Sequence, residues 1–210
     1  MKGLKNLNCL LPRTKDILLE LIETCDFLYK YVLVGGSALT LHLCHRKSED
    51  LDFFTVEDNF DKQEIMLYIK KFDTKEIINQ TDEQIDLLLN GVKVTFFNAK
   101  WNFLQPSHCK IFNLATIQAI AIMKVNALFL RAKYRDYYDL YFLVKKRMDL
   151  NEIFELSEKV VAGITFKQFA VALVYIDDID DDNIDYLEPA ENIDKKRIRD
   201  FFQKRLNLLT

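Results

Sequence analysis

Residues 85–97 constrain the fold most sharply. Ile85–Leu89 and Val92–Phe97 are two short runs of β character, and the Asn90-Gly91 between them favours the type I′ turn that joins antiparallel strands. The β pattern begins at Lys75. Upstream, Thr14–Lys30 carries Ile17, Leu18, Leu21, Ile22, Cys25 and Leu28 at helical spacing, with Pro12 just ahead as punctuation. Tyr31–Val34 reads as a short buried strand ending at Gly35-Gly36-Ser37, and Ala38–Cys44 as one or two helical turns. Leu51–Thr55 is a second strand with acids at its start, and Asp61–Phe72 is a helix with Ile65, Met66, Ile69 and Phe72 on one face. After Pro106 the pattern predicts helix only, over 115–133, 136–147, 151–161, 166–175 and 194–208. The expectation is an α+β chain with a mixed α/β domain over residues 1–105 and a helical domain over 106–210. No repeat and no Gly/Ser linker separates the halves, so an interface near residue 105 is expected.

Half of the residues are hydrophobic, with 16 Phe and 9 Tyr, which is enough to fill a core and argues against disorder. The formal net charge of −3 supplies no global basic field, so nucleic acid would need a local patch. Cys9, Cys25, Cys44 and Cys109 lie far apart with no CxxC pair. Neither a zinc site nor a disulfide framework is expected, and a reducing compartment fits. No stretch approaches the ~18 continuous apolar residues of a membrane span. The chain reads as soluble, cytoplasmic and without a membrane partner.

Three features bear on chemistry. Gly35-Gly36-Ser37 lies between a strand and a helix, where glycines allow close backbone approach, amides at a helix start favour a phosphate, and Ser37 adds a hydroxyl. Alone, such a pair is more often a tight turn. In Ser48-Glu49-Asp50-Leu51-Asp52-Phe53, strand alternation projects Asp50 and Asp52 to one face while Leu51 and Phe53 turn to the core. Two adjacent carboxylates repel unless a cation holds them, and hard oxygen ligands suit Mg²⁺ bound partly through substrate phosphates. A lone DxD reads as a polar strand edge, but the GGS turn 13 residues earlier shifts the balance to the metal. The third feature runs from Met123 to Tyr141. Lys124, Arg131 and Arg135 fall on one stripe if a single helix continues, Arg135 and Asp139 are an i, i+4 pair, and Asp136 shares a face with Asp139. Lys124 has Ile120, Ala121, Ala127 and Leu128 as same-face neighbours, a costly place for an ammonium unless it meets a ligand or a carboxylate.

Together, GGSALTLHLCHRKSEDLDFF, GVKVTFF and AIMKVNALFLRAKYRDYYDLYFL resemble the AbiEii/AbiGii nucleotidyltransferases, toxin-type members of the polymerase-beta-like superfamily. The resemblance spans roughly residues 15–180. It implies a nucleotidyltransferase fold, a small mixed β-sheet flanked by helices followed by a helical half that completes the active-site cleft. It also implies NMP transfer from an NTP with Mg²⁺ or Mn²⁺. On the matching positions, Gly35, Gly36 and Ser37 would hold the triphosphate, Asp50 and Asp52 the metal, and Lys124 a phosphate. Asp139, with Asp136 behind it, would act on nucleotide or acceptor, and Arg46 would balance charge near the acids. The implied partners are an NTP, an RNA or tRNA end or a protein hydroxyl as acceptor, and an antitoxin protein.

The sequence departs from that pattern at Thr95, where many superfamily members place a third acid; a hydroxyl does not replace a carboxylate as a base at neutral pH. Asp139 supplies the missing function, or fewer metal ligands suffice, or activity is reduced and the chain is a nucleotide-binding module acting through protein contacts. His42, His45 and His108 have no metal-ligand spacing. Asp177–Asn183 lacks the glycine and closing glutamate of a calcium loop and reads as a solvated acidic loop. Lys124, Arg131 and Arg135, with Lys100 and Lys110, form the best RNA-facing patch the sequence offers.

Overall fold

Asn90 and Gly91 both take positive φ, 48° and 83°, as a type I′ turn requires, and the hairpin they close belongs to a seven-stranded sheet. The strands are β1 (Val32–Val34), β2 (Leu51–Thr55), β3 (Lys75–Gln80), β4 (Gln84–Leu89), β5 (Val92–Asn98), β6 (Pro106–His108) and β7 (Asn113–Ala115), in spatial order β3-β4-β5-β2-β1-β7-β6. The sheet is mixed: β2 runs parallel to β5 and antiparallel to β1, and β1 runs parallel to β7. The computed structural model describes residues 6–56, 60–104, 106–108, 112–180 and 183–208, and the chain divides into two units, Met1–Thr116 and Ile117–Thr210.

Three helices accompany the sheet: α1 (Pro12–Thr24), α2 (Gly35–Leu43) and α3 (Lys62–Tyr68). Pro12 occupies the first turn of α1, where its missing N–H costs nothing. Asp61 caps α3 by accepting from the Glu64 amide. Helix α1 packs against β5, and α2 against β1 and β2. The covered face of the sheet is mainly apolar: Leu33, Leu51, Phe53, Ile85, Leu87, Val94 and Phe96 are all at 0% exposure, with buried Thr55 and Asn98 at its end. Phe96 anchors it, stacked on Phe53 at 5.5 Å and met edge-on by Tyr31 at 5.1 Å. Alternation then forces Asp52, Phe54, Thr95, Phe97 and Asp86 to the opposite face.

The second unit contains α4 (Ile117–Leu130), α5 (Tyr134–Lys146), α6 (Leu150–Glu158), α7 (Phe166–Val174) and α8 (Lys195–Leu206), with no strand among the described residues. A complete capping box, Thr165 with Gln168, starts α7, and Asp194 caps α8.

Four expectations need correction. The segment after Pro106 does not turn directly to helix; β6 and β7 come first, each only three residues and too short to leave a periodic signal. The 14–30 helix stops at Thr24, because Cys25 takes an extended conformation before a short 3-10 helix at Leu28–Lys30. No single helix carries Lys124, Arg131 and Arg135: α4 ends at Leu130, Ala132 has φ 43°, and α5 begins at Tyr134. The cysteines do pair, since Cys9 and Cys44 form a disulfide with Cα atoms 5.5 Å apart, at a sequence separation of 35. Cys25 is free and buried, with its thiol pushed up to about 12 by burial, and Cys109 lies outside the described residues.

Candidate active site

The strand β1 ends at Val34, opposite Asp52 of β2. Helix α2 starts at once with Gly35, whose φ of 68° is the left-handed conformation glycine adopts without strain. A Cβ on Gly35 would lie 2.7 Å from Asp52 Oδ2, and one on Gly36 would lie 2.7 Å from Arg46 Nη2 and 3.2 Å from Ser48 Oγ. Thus the two glycines have separate reasons. Gly35 admits a carboxylate and Gly36 admits a guanidinium, both against the first turn of α2. Arg46 is 4% exposed and Nη1 donates to the Lys47 carbonyl at 2.8 Å. The structure therefore brings Gly35, Gly36, Arg46 and Asp52 together.

Ser37 is placed differently from the expectation. Its hydroxyl is buried and donates to the Asp50 carbonyl oxygen, pinning the acid-bearing loop to α2. No side chain caps the N-terminus of α2, whose first backbone N–H groups are the kind of donors that suit an anion. The same loop is held from the other side: the Leu11 amide donates to the Ser48 carbonyl at 3.0 Å, and Thr14 Oγ1 to the Glu49 carbonyl at 2.8 Å. Asp50 and Asp52 are both half-buried.

Replacing Gly35 by alanine is expected to destabilise the protein by about 1–2 kcal/mol for the left-handed backbone alone, and to push the Asp52 carboxylate away. Denaturant unfolding of the variant measures this; a midpoint equal to that of the wild type would contradict the close approach.

Two carboxylates, Asp50 just before β2 and Asp52 on it, suit a hard divalent ion in donor chemistry and fall beside an uncapped helix start. Among the described residues no cluster of three or more His, Cys, Asp or Glu has metal-holding geometry.

Across β2 and β5, Asp52 pairs in register with Thr95, and across β5 and β4 Thr95 pairs with Asp86. Asp86 is 6% exposed, and its Oδ1 accepts from Thr95 Oγ1 at 2.7 Å. Oδ2 accepts from Gln84 Nε2 at 2.8 Å and Asn79 Nδ2 at 3.2 Å. Burial pushes the Asp86 pKa up, but the Thr95, Gln84 and Asn79 donors and the Lys93 charge outweigh it and hold the carboxyl below its usual range. The sequence reading passed over Asp86. The signal was present, since a two-residue turn at Asn90-Gly91 pairs Leu89 with Val92, and counting back places Asp86 opposite Thr95.

In the second unit, Lys124 does meet carboxylates. Its Nζ lies 2.8 Å from Asp136 Oδ1 and 2.6 Å from Asp139 Oδ2, with both acids at 0% exposure and Lys124 at 5%. Arg131 adds two bonds to Asp136, Nε to Oδ2 and Nη2 to Oδ1, each at 3.1 Å. Burial raises the Asp136 pKa, but Lys124 and Arg131 together hold it below the usual value. The RNA-facing patch is corrected accordingly: Lys124 is buried, Arg131 is engaged with Asp136, Lys100 pairs with Glu83 at 2.6 Å, and Lys110 lies outside the described residues. His42 Nε2 hydrogen-bonds the Ala115 carbonyl at 2.8 Å, and His45 is fully buried; the His108 side chain lies outside the described residues. In the acidic run Asp177 pairs with Arg199, and Asp181 and Asp182 lie outside the described residues.

The pattern of the family described as nucleotidyl transferase AbiEii toxin, Type IV TA system, matches residues 16–100 and 110–207. The chain belongs to the AbiEii nucleotidyltransferase toxin family. An Aquifex aeolicus (strain VF5) relative, the uncharacterised protein aq_aa25, is 31% identical over 195 residues, covering 88% of this chain and 94% of the relative. Two solved structures share the fold. JHP933 from Helicobacter pylori is 20% identical, with a TM-score of 0.59 over 95% of this chain and 93% of that one. MenT4, a nucleotidyltransferase toxin of Mycobacterium tuberculosis H37Rv, is 16% identical, with a TM-score of 0.59 over 94% and 86%. The nucleotidyltransferase fold class expected from the sequence is thereby established, and no described helix is long and apolar enough to cross a membrane.

Proposed function

We propose that this AbiEii-family chain transfers an NMP from an NTP to an acceptor hydroxyl, on an RNA or tRNA end or on a protein. Such transfer would make it the cytoplasmic toxin of a toxin–antitoxin or phage-defence pair, held in check by an antitoxin protein. The observation that carries the reading is the pair of glycines opening α2, one set against the Asp52 carboxylate and the other against Arg46. The backbone N–H groups at the start of α2 would bind the triphosphate. Asp50 and Asp52 are the residues that would hold Mg²⁺ or Mn²⁺, whose contribution is to offset charge on the phosphates. Arg46 adds a fixed positive charge, and Ser37 holds the Asp50 backbone in place.

The reaction breaks the Pα–O bond to pyrophosphate and forms a Pα–O bond to the acceptor oxygen, whose proton passes to solvent water. Incubation with each α-labelled NTP, Mg²⁺ or Mn²⁺, and total tRNA or cell extract tests this directly. Label is expected on one acceptor class, and no label with any NTP and acceptor would overturn transfer. The absence of an acid at Thr95 favours one second reading, a nucleotide-binding module. Binding of Mg²⁺-NTP by calorimetry without transfer would select it.

Trp101 gives an independent readout, because it is the only tryptophan and its ring lies 5.7 Å from Phe54, two residues along β2 from Asp52. Saturable quenching of its emission by Mg²⁺-NTP is expected. The Asp50→Ala/Asp52→Ala variant should lose that response, and an unchanged response would place the nucleotide elsewhere.

A further inference from the structure

We infer that Asp86, acting through Thr95, supplies the carboxylate missing from β5, and that Thr95 is thereby fixed as the group that aligns the attacking hydroxyl beside Asp52. The inference rests on the transfer reading above and deepens it. Asn79, Asp86, Thr95 and Asp52 occupy one level across β3, β4, β5 and β2. With neighbouring strands about 4.8 Å apart, Asp86 stands two strands, about 10 Å, from Asp52. That is too far to share an ion with it, and near enough to act through one intervening hydroxyl.

A threonine hydroxyl has a single proton, and Thr95 gives it to Asp86 Oδ1 at 2.7 Å. What Thr95 retains is lone pairs, so a substrate hydroxyl reaching it must donate. The orientation is enforced from behind. Asp86 is a carboxylate with no proton of its own to offer, and its other oxygen is saturated by Gln84 and Asn79. Packing alone gives no reason for this arrangement. A buried carboxylate is costly to desolvate, and an apolar pair across β4 and β5, such as Leu87 with Val94 on the other face, does without one. Asp86 is thus a positioning residue, and Thr95, only 5% exposed, is the group placed to meet the substrate hydroxyl.

The geometry predicts the effect of a single atom change. In Asp86→Asn the donors of Gln84 and Asn79 claim the amide oxygen, which turns the amide NH₂ toward Thr95. The Thr95 hydroxyl then accepts from it and turns its own proton outward, presenting a donor, with one lone pair fewer, where the attacking group needs an acceptor.

The experiment compares the wild type with Asp86→Asn, Thr95→Val, Thr95→Ser and the double variant Thr95→Asp/Asp86→Asn, which moves the carboxylate onto β5. NTP affinity is read by calorimetry, kcat and acceptor KM by label transfer, and folding by denaturant midpoint. Asp86→Asn and Thr95→Val are expected to keep NTP affinity within twofold and to lose about 10²-fold in kcat. Thr95→Ser, which keeps the hydroxyl, should recover most of what Thr95→Val loses, and the double variant should exceed Asp86→Asn at least tenfold. A folded Asp86→Asn or Thr95→Val that transfers at the wild-type rate overturns the inference and leaves the transfer reading standing. A wild type that transfers to no acceptor overturns both. Should Asp86→Asn fail to fold, Thr95→Val and the double variant decide: wild-type kcat in the first, or an inactive folded form of the second, overturns it.

Discussion

Replacing Asp52 by asparagine is expected to lower NMP transfer by about 10³-fold with the fold intact. Asparagine has nearly the shape of aspartate, so the contact with Gly35 and the pairing of β2 with β1 and β5 survive. The change removes one negative charge from a donor set of two. A divalent ion binds hard oxygen ligands largely by charge, and its contribution to phosphoryl chemistry is several kcal/mol. At about 1.4 kcal/mol per tenfold, a loss of roughly 4 kcal/mol corresponds to the stated factor. Transfer of labelled NMP, with circular dichroism on the same samples, measures it. If the folded variant keeps activity within tenfold of the wild type, Asp52 does not hold the ion and the assignment of the α2 start as the phosphate site loses its anchor.

How much of this was legible beforehand depends on whether the signal was local. The alternation in Leu51–Thr55 marked the strand and put Asp52 on the face opposite Leu51 and Phe53, because a period of two is readable within five residues. Asn90-Gly91 gave its turn for the same reason. The role of the two glycines was half legible: a tight approach was expected, but which group approached each was not, since Asp52 and Arg46 arrive from later in the chain. The Cys9–Cys44 bond, the strands β6 and β7 and the break near Ala132 were not legible. The first is a long-range contact, the strands are too short for periodicity, and the break puts an alanine at φ 43° where a glycine or proline would have announced it. Asp86 is the instructive case. In Gln84–Leu89 it looks like one acid in an apolar run, and its meaning appears only when the hairpin register sets it beside Thr95.

Lys124→Met is expected to destabilise the protein by about 3–5 kcal/mol at pH 7, the usual result of removing one partner from a buried ion pair. The ammonium lies between two fully buried carboxylates, and methionine fills its volume while leaving Asp139 without that counter-charge and Asp136 with Arg131. The pH dependence separates lost charge from lost packing. In the wild type the Asp136 pKa lies below its unfolded value near 3.9, so its stabilisation is present above that value and is lost as pH falls through the folded pKa. Between pH 7 and 5 the ionisation of this group leaves wild-type stability level. In Lys124→Met the same burial acts on Asp136 without the lysine, and its carboxyl pKa rises. Folding then takes up protons, and the deficit relative to the wild type should shrink as pH falls from 7 to 5. Urea unfolding of both proteins at the two pH values is the measurement. A deficit of equal size at pH 7 and pH 5 would show that methionine simply packs badly there, and that the buried charges do not depend on Lys124.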